Sequence, residues 1–223
     1  MMVDTHTHIL PGIDDGAQSL GESLRMLRKC RDQGVKKVVL TPHFYPTVES
    51  VDSFLARRAQ AYETLCSAVT EDLPQLILGA EVAWCPSLEH MEQLTDLTMG
   101  NSRYMLLELP YMAWDNSHLD GVRELILDGR VVPVIAHVER ALHLQRRGQY
   151  QALAQLQVPM QISSEIFGKP FGGKKALRLM SQGSWMIGSD CHNTTNRPPC
   201  MDRAARYLQA HGQELRQCLD WTF

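Results

Sequence analysis

Short apolar runs alternate with amphipathic segments from one end of the chain to the other. The apolar runs predict buried parallel strands over residues 3–9, 36–41, 76–79, 104–107, 131–136, 160–162 and 185–187. Apolar residues at helical spacing, closed in several cases by glycine, predict helices over residues 19–34, 51–69, 118–128, 173–182 and 201–210. About seven β-then-α units in succession are typical of an α/β fold with a parallel barrel or sheet.

No linker, low-complexity tract or charge run divides the chain, so we expect one domain over residues 1–223. This length is enough to bury a sizeable core. With 44% apolar and 21% charged residues, the composition is ordinary for a soluble globular protein. The net charge of −3 argues against nucleic acid as the main partner, because phosphate backbones are bound by dense Lys/Arg surfaces.

The cysteines and the N-terminus bear on location. The six cysteines are scattered, with no C-x-x-C pair, which suits a reducing cytosol better than a disulfide-bonded scaffold. The N-terminal sequence MMVDTHTHIL has neither the basic nor the apolar region of a signal peptide, and no apolar run approaches membrane-spanning length. We therefore expect a cytoplasmic protein without membrane insertion.

Nearly every predicted strand is followed by histidine, aspartate or glutamate. These residues are His6 and His8 on the first strand, then His43, Glu81, Glu108, His137, Asp190 and His192. Barrel enzymes carry their chemistry at the carboxyl ends of the strands, so we expect the side chains to converge on one mouth. The alternative, that each caps a helix or meets solvent, explains one or two positions but not six strand ends. A shared metal site is the better interpretation.

The types of ligand narrow the choice of metal. Imidazole and carboxylate without an obvious thiolate suit Mn²⁺, Fe or Zn²⁺ at an open, catalytic site. Asp15, in the turn Ile-Asp-Asp-Gly, brings the candidates to nine, too many for one ion. We therefore expect two or three ions that share a bridging carboxylate. Asp14 could replace Asp15 as a ligand, but a role as a turn or N-cap acid is the preferred interpretation.

The loop GSDCHNTTNRPPC contains Cys191 and Arg197 at the C-x5-R spacing of cysteine-dependent phosphatases. Such a loop binds phosphate with successive backbone N–H groups and usually needs glycine. Here the intervening residues contain no glycine, and the two prolines after Arg197 remove two donors. We expect Cys191 to be a small core residue between the ligands Asp190 and His192.

Taken together, the motifs THTHILPGIDDGAQS, GVKKVVLTPH, LGAEV, VIAHVER and SDCHNTTNRPP resemble the PHP (polymerase and histidinol phosphatase) superfamily. They are most similar to its bacterial, manganese-dependent tyrosine-protein phosphatase branch. The resemblance covers about residues 2–210. It implies a distorted seven-stranded (β/α) TIM-like barrel with three metal ions.

The resemblance also implies an assignment of ligands. His6, His8, Glu81 and Asp190 would bind the first ion; Glu81, Glu108 and His137 the second; Asp15, His43 and His192 the third. Arg140 and Arg197 match the arginines that hold the phosphate. The implied substrate is phosphotyrosine on a bacterial tyrosine autokinase that controls capsule and exopolysaccharide synthesis.

The predicted reaction is therefore metal-dependent hydrolysis of a phosphomonoester. One alternative is a PHP phosphatase of a small metabolite such as histidinol phosphate. A second is a C–N hydrolase of the amidohydrolase type, which also begins with H-x-H but would carry a bridging lysine where this chain has Glu81. A third, from another class, is a catalytically idle metal-binding partner of a kinase complex. The basic turn at 172–175 is interpreted as a solvated helix start.

Overall fold

A computed structural model describes residues 1–146 and 148–213. Its strands are β1 (Met2–Thr7), β2 (Val35–Leu40), β3 (His43–Phe44), β4 (Gln75–Leu78), β5 (Glu81–Ala83), β6 (Tyr104–Glu108), β7 (Val132–Ile135), β8 (Met160–Ser163) and β9 (Trp185–Gly188). Its α-helices are α1 (Leu20–Asp32), α2 (Val51–Ala68), α3 (Asn116–Asp128), α4 (Val138–Ala141), α5 (Gln149–Gln155), α6 (Gly172–Met180) and α7 (Met201–Ala210). The predicted domain 1–223 includes residues 147 and 214–223, which lie outside the described residues.

The predicted strands and helices are confirmed, and the sequence reading missed some short elements. Each of the predicted apolar runs overlaps a strand, and the predicted helices correspond to α1, α2, α3, α6 and α7. The short helices α4 and α5 were not predicted, because one or two turns carry too little periodicity. No described helix has both the length and the apolar character needed to cross a membrane.

All strand pairs in the two sheets are parallel. One sheet has the order β1-β2-β4, and the other has the order β3-β5-β6-β7-β8-β9. The second and third predicted strands correspond to β2 and β4, and each is followed, after an interruption of two residues, by a short strand that was not predicted, β3 or β5. Pro42, which has no N–H, lies in the first interruption. The interruptions place His43 and Glu81 at the start of new, short strands that belong to the second sheet.

The first and last strands meet at their carboxyl ends. Thr7 and Cys191 form a parallel bridge, and the Asp190 N–H donates to the His6 carbonyl at 2.7 Å. Gly188 allows this approach, because a Cβ at its position would lie 2.5 Å from the His6 Cβ. The two sheets are thereby joined by backbone contacts beside His6 and Asp190.

Apolar side chains pack in two clusters. The larger one lies between the strands and the surrounding helices and includes the fully buried Phe44, Phe54 and Met26. The smaller one draws on several different strands and consists of Val3, Val39, Ile77, Met99, Leu106, Val134, Ala136 and Met186. Burying each large aliphatic side chain stabilises the fold by about 1.5–3 kcal/mol before entropy is counted. These clusters make the strands a rigid support for the side chains at their carboxyl ends.

Candidate metal centre

Four ligand atoms of the predicted set face one another in the interior. His6 Nε2 lies 3.1 Å from His8 Nε2 and 3.1 Å from Glu81 Oε2. His8 Nε2 lies 3.2 Å from the same Glu81 oxygen. Asp190 Oδ1 lies 3.6 Å from His6 Nε2 and 3.4 Å from His8 Nε2. We call these four residues the inner group, and each side chain is at most 1% exposed.

The hydrogen bonds around the inner group fix where the imidazole protons lie. Gln161 Oε1 accepts the His137 backbone N–H at 2.7 Å, so the atom at 3.1 Å from His6 Nδ1 is an oxygen and this nitrogen donates to it. His8 Nδ1 likewise donates to the carboxylate of Asp14 at 2.8 Å. In the neutral imidazoles, both Nε2 atoms therefore present lone pairs to each other and to two carboxylates. Such an arrangement needs a positive charge at its centre.

The spacing of the inner group also fits a metal ion. Two ligands about 2.1 Å from one ion at right-angled to tetrahedral geometry lie ~2.9–3.4 Å apart, close to the observed separations. Glu81 Oε2 has no hydrogen-bond partner of good geometry although nitrogens lie close to it. The ligands of a common ion converge in this way, with their polar atoms close together but not hydrogen-bonded to one another. The residues present therefore fit a metal.

Two further sets of ligands adjoin the inner group. Asp15, His43 and His192 offer atoms that, with His8, lie within 4.8 Å of one another, and we call these three residues the outer group. Glu108 and His137 adjoin Glu81: His137 Nε2 lies 2.9 Å from Glu81 Oε1 and 3.3 Å from Glu108 Oε1. The structure thus brings all nine predicted ligands together, with Glu81 at the junction of the three sets. One difference from the implied assignment is that His8 also faces the outer group.

The backbone is unusual at two of these positions. His137 has φ 27° and Asp190 has φ 53°, left-handed values that cost non-glycine residues free energy. Asp190 thus lies beyond the regular part of β9 and does not have the extended backbone of a strand residue. Such strain persists where surrounding contacts impose it, here the bonds from Asp190 N–H to His6 and from His137 N–H to Gln161. It turns both side chains toward the centre.

Charges around the centre shift the pKa values of the histidines in opposite directions. Burial lowers the pKa of His137, but hydrogen bonds with Glu108 and Glu81 outweigh it and raise the value to about 10. Burial and the neighbouring His8 lower the pKa of His192 to about 4, which keeps this imidazole neutral. Protons on His137 would compete with a metal, because a ligating imidazole must be neutral.

Asp14 and Gln161 are functional residues that the sequence reasoning missed. Asp14 does form a turn by accepting the Gly16 N–H, but its other oxygen accepts from His8 Nδ1 and from the His43 N–H. Burial raises the pKa of Asp14, yet the hydrogen bond from His8 outweighs it and lowers the value to about 2. Asp14 is therefore ionised and orients His8, while Gln161 orients His6. A turn acid and a neutral strand residue carry no signal for this role in one sequence.

Both predicted arginines reach the edge of the inner group. The guanidinium of Arg140 on α4 forms an ion pair with Asp190 Oδ2, and that of Arg197 lies 2.8 Å from the same oxygen. Their side chains remain 32% and 37% exposed. Each guanidinium has five N–H donors, so both retain donors for an anion at the mouth.

Cys191 lies in the core, as predicted. It is fully buried within the larger apolar cluster. Its neighbour there is Cys30, whose pKa is raised well above the usual value, first by the hydrogen bond with Cys191 and then by burial. Cys191 therefore lies in the apolar interior and lacks the accessible surroundings of a nucleophile.

An α/β fold with imidazole and carboxylate side chains gathered at the carboxyl ends of parallel strands is typical of metal-dependent enzymes. The chain belongs to the capsular polysaccharide synthesis CpsB/CapC family, whose model matches residues 2–219. It is similar to the tyrosine-protein phosphatase CpsB of Streptococcus pneumoniae, with 29% identity over 215 residues, 91% of this chain and 88% of the relative. It is also similar to the tyrosine-protein phosphatase YwqE of Bacillus subtilis (strain 168), with 28% identity over 208 residues, 88% of this chain and 79% of the relative.

Solved structures agree with this family. One match comes from the crystal structures of YwqE from Bacillus subtilis and CpsB from Streptococcus pneumoniae, described as metal-dependent tyrosine phosphatases. Its TM-score is 0.79 at 26% identity, and it covers 96% of this chain and 89% of that chain. A candidate histidinol phosphatase, hisK, from Listeria monocytogenes matches with a TM-score of 0.51 at 13% identity, covering 85% of this chain and 95% of that chain. The second match concerns the fold alone.

Proposed function

We propose that the protein is a metal-dependent protein-tyrosine phosphatase. The observation that carries the proposal is the inner group, whose two Nε2 lone pairs and two carboxylates face one another beside two arginines. The named activity of the relatives CpsB and YwqE supports phosphotyrosine as the substrate. The proposed physiological substrate is a tyrosine autokinase controlling capsule and exopolysaccharide synthesis, and the proposed location is the cytoplasm; the family's description supports the link to capsule synthesis.

The proposed cofactor is Mn²⁺, two or three ions, with Fe or Zn²⁺ as substitutes. The inner group would hold one ion, Glu81 with Glu108 and His137 a second, and the outer group a third. Hard carboxylates mixed with imidazole suit Mn²⁺, and the absence of a thiolate among these ligands argues against a structural zinc site. When bound, such ions neutralise phosphate charge and lower the pKa of water.

Each protein group has a role that follows from its position. Arg140 and Arg197 would bind phosphoryl oxygens with the donors left over from Asp190, and this attraction grows as charge shifts in the transition state. Asp14 and Gln161 would keep the protons of His8 and His6 on Nδ1, so that Nε2 stays available. A phenolate with a pKa of about 10 is a tolerable leaving group, so no dedicated general acid is assigned.

The proposed architecture is a single domain with a distorted seven-stranded barrel. If β2 with β3 and β4 with β5 each count as one interrupted strand, the strands number seven. The backbone bonds between the ends of β1 and β9 support closure, as does the smaller apolar cluster, which would be the barrel interior.

The alternatives carried from the sequence have less support. For a C–N hydrolase of the amidohydrolase type, the bridging position would hold lysine, whereas Glu81 contacts His6, His8, His43 and His137 there. For a small-metabolite phosphatase, the similarity to the Listeria protein extends to the fold only. For an idle binding partner, neither arginine at the mouth would be needed.

Phosphate release decides between these functions. Purified protein loaded with Mn²⁺ should hydrolyse a phosphotyrosyl peptide at least about tenfold more efficiently than histidinol phosphate. The part-exposed Arg140 and Arg197 can reach a phosphoryl group that is carried on a peptide. EDTA-treated protein is the control and should release no phosphate. A preference for histidinol phosphate would overturn the proposal in favour of a metabolite phosphatase, and no release from either would favour the idle partner.

A further inference from the structure

Two surface cavities share Lys175 in their linings, and the first of them also includes Arg140 at the edge of the metal centre. The first, about 480 Å³, begins at Arg140 and is lined by Tyr111, Lys169 and Lys175 among others. The second, about 310 Å³, is lined by Lys175, Arg146 and Arg178 among others. We call the five cations the basic groove: Arg140, Arg146, Lys169, Lys175 and Arg178.

The groove concentrates positive charge on a chain whose net charge is −3. The second cavity has no carboxylate in its lining. The first contains Glu165, which lies 3.0 Å from Lys169, and Glu139, whose buried carboxylate accepts the Ser163 N–H. Five cations thus face two carboxylates, and one of these is turned into the interior. A local excess of this kind attracts anions even where the whole protein is acidic.

The cations at the far end of the groove are exposed and without acidic partners. In the part of the chain that the structure describes, no carboxylate forms an ion pair with Lys175, Arg146 or Arg178. Lys175 Nζ donates to the Glu139 carbonyl at 3.1 Å, which holds its side chain across the groove. Lys175 and Arg178, three residues apart on α6, share one face of the helix.

One end of the groove is part of the metal centre. Arg140 forms an ion pair with Asp190 and also lines the first cavity. A phosphotyrosine bound at Arg140 would therefore place its neighbouring residues along Lys175 and beyond. An extended peptide advances ~3.3 Å per residue, so the i,i+3 spacing of Lys175 and Arg178 corresponds to about two residues of substrate.

We propose that the basic groove binds acidic side chains that flank the phosphotyrosine, and so selects acidic phosphopeptides. This inference rests on the proposed function and specifies its substrate class. Exposed ion pairs of this kind are individually weak, and they act mainly on encounter and on the choice of partner. We expect a preference of about 5- to 10-fold in kcat/KM, which declines as salt is raised.

The test compares three phosphotyrosyl peptides of equal length, flanked by aspartate, serine or lysine, at low salt. The wild-type protein should prefer the aspartate peptide, and Arg146→Glu with Arg178→Glu should remove or reverse the preference. Hydrolysis of p-nitrophenyl phosphate, which has no flanking residues, should be unchanged in this variant. Lys175 is not substituted, because a substitution would also remove its hydrogen bond to the Glu139 carbonyl.

The control for the Arg178→Glu half of the variant is Lys174→Glu, a single charge reversal on the same helix at an exposed residue that lines neither cavity. It should keep the preference for the aspartate peptide. The proposed role of the groove would be wrong if wild-type kcat/KM were equal for the aspartate and serine peptides. It would also be wrong if the control and the double variant lost the preference for the aspartate peptide to the same extent. Neither result would contradict the phosphatase activity. If p-nitrophenyl phosphate is hydrolysed but no phosphotyrosyl peptide is, the proposed function fails and the inference fails with it.

Discussion

The inner and outer groups differ in how firmly the protein holds the ligands. The side chains of His6, His8 and Glu81 are at most 1% exposed, whereas those of His43 and Asp15 are 13% and 66% exposed. Buried ligands, fixed by Asp14 and Gln161, are in place before an ion arrives. An exposed carboxylate such as Asp15 must be ordered when an ion binds, and this costs entropy. We therefore expect the ions of one centre to differ in affinity with the burial of their ligands.

The largest effect on metal content and activity should come from substituting Glu81, which lies at the junction of the three sets of ligands. Glu81→Gln preserves the shape but removes the charge, so we expect loss of metal from more than one set and a fall in kcat/KM of about 10³-fold or more. Elemental analysis and phosphatase assays on the same preparation measure both. Glu63→Gln on the exposed face of α2 is the control. Full metal content and activity in Glu81→Gln would refute the shared role of this carboxylate.

A loss of about 10²-fold in kcat/KM is expected from either Arg140→Ala or Arg197→Ala, because each removes a charge-assisted donor to the transition state. Arg→Lys at either position should restore only part of kcat/KM, since an ammonium lacks the two parallel N–H donors of a planar guanidinium. Metal content should stay near wild type, because neither residue is a proposed ligand. If both alanine variants hydrolysed phosphotyrosyl peptide with near wild-type efficiency, the arginines would not bind the phosphate. If the variants lost metal, the role of the arginines would be structural.

The contrast between the two groups is tested most directly by a pair of neighbouring aspartates. Asp15→Asn should lower metal content by one ion at most, because Asp15 belongs only to the outer group. Asp14→Ala removes the acceptor that orients His8, which faces both groups, and should weaken metal binding by about 10- to 100-fold. A calorimetric titration of each metal-free variant with Mn²⁺ measures the number of ions bound and their affinity, and so distinguishes the two effects. Equal losses in both variants would show that burial does not set the order of affinity.

Sequence patterns predict which side chains converge, because strand ends are easy to locate. His6, Glu81 and Asp190 each follow an apolar run, and parallel strands bring their carboxyl ends together whatever the details of the fold. Asp14 and Gln161 could not be predicted as positioning residues. Their roles depend on contacts between residues 8 and 14 and between residues 6 and 161, which no local pattern encodes.

The same limit applies to the backbone. The short strand β3 lies beyond the predicted second strand and pairs with β5 in the other sheet, and periodicity does not show this change of partner. The left-handed conformation of Asp190 is imposed by its contact with β1 rather than by its own preference. The sequence predicts a solvated helix start at Lys175. Its place in a groove follows only from its contact with Glu139 on α4.

The smallest effect on activity should come from Cys191, which lies between two ligands in sequence but in the apolar core in space. Cys191→Ser should retain most phosphatase activity, while the buried hydroxyl lowers the free energy of unfolding by about 1–3 kcal/mol. Iodoacetamide offers an independent measurement, because Cys66 is exposed and Cys191 is buried. Mass spectrometry should find Cys66 alkylated and Cys191 unmodified, with activity unchanged. If Cys191→Ser lost several orders of magnitude in kcat while elemental analysis showed a full complement of metal, the thiol would have to be reconsidered as the nucleophile. Because its side chain is buried in the larger apolar cluster and is not one of the candidate ligands, we expect only the loss of stability.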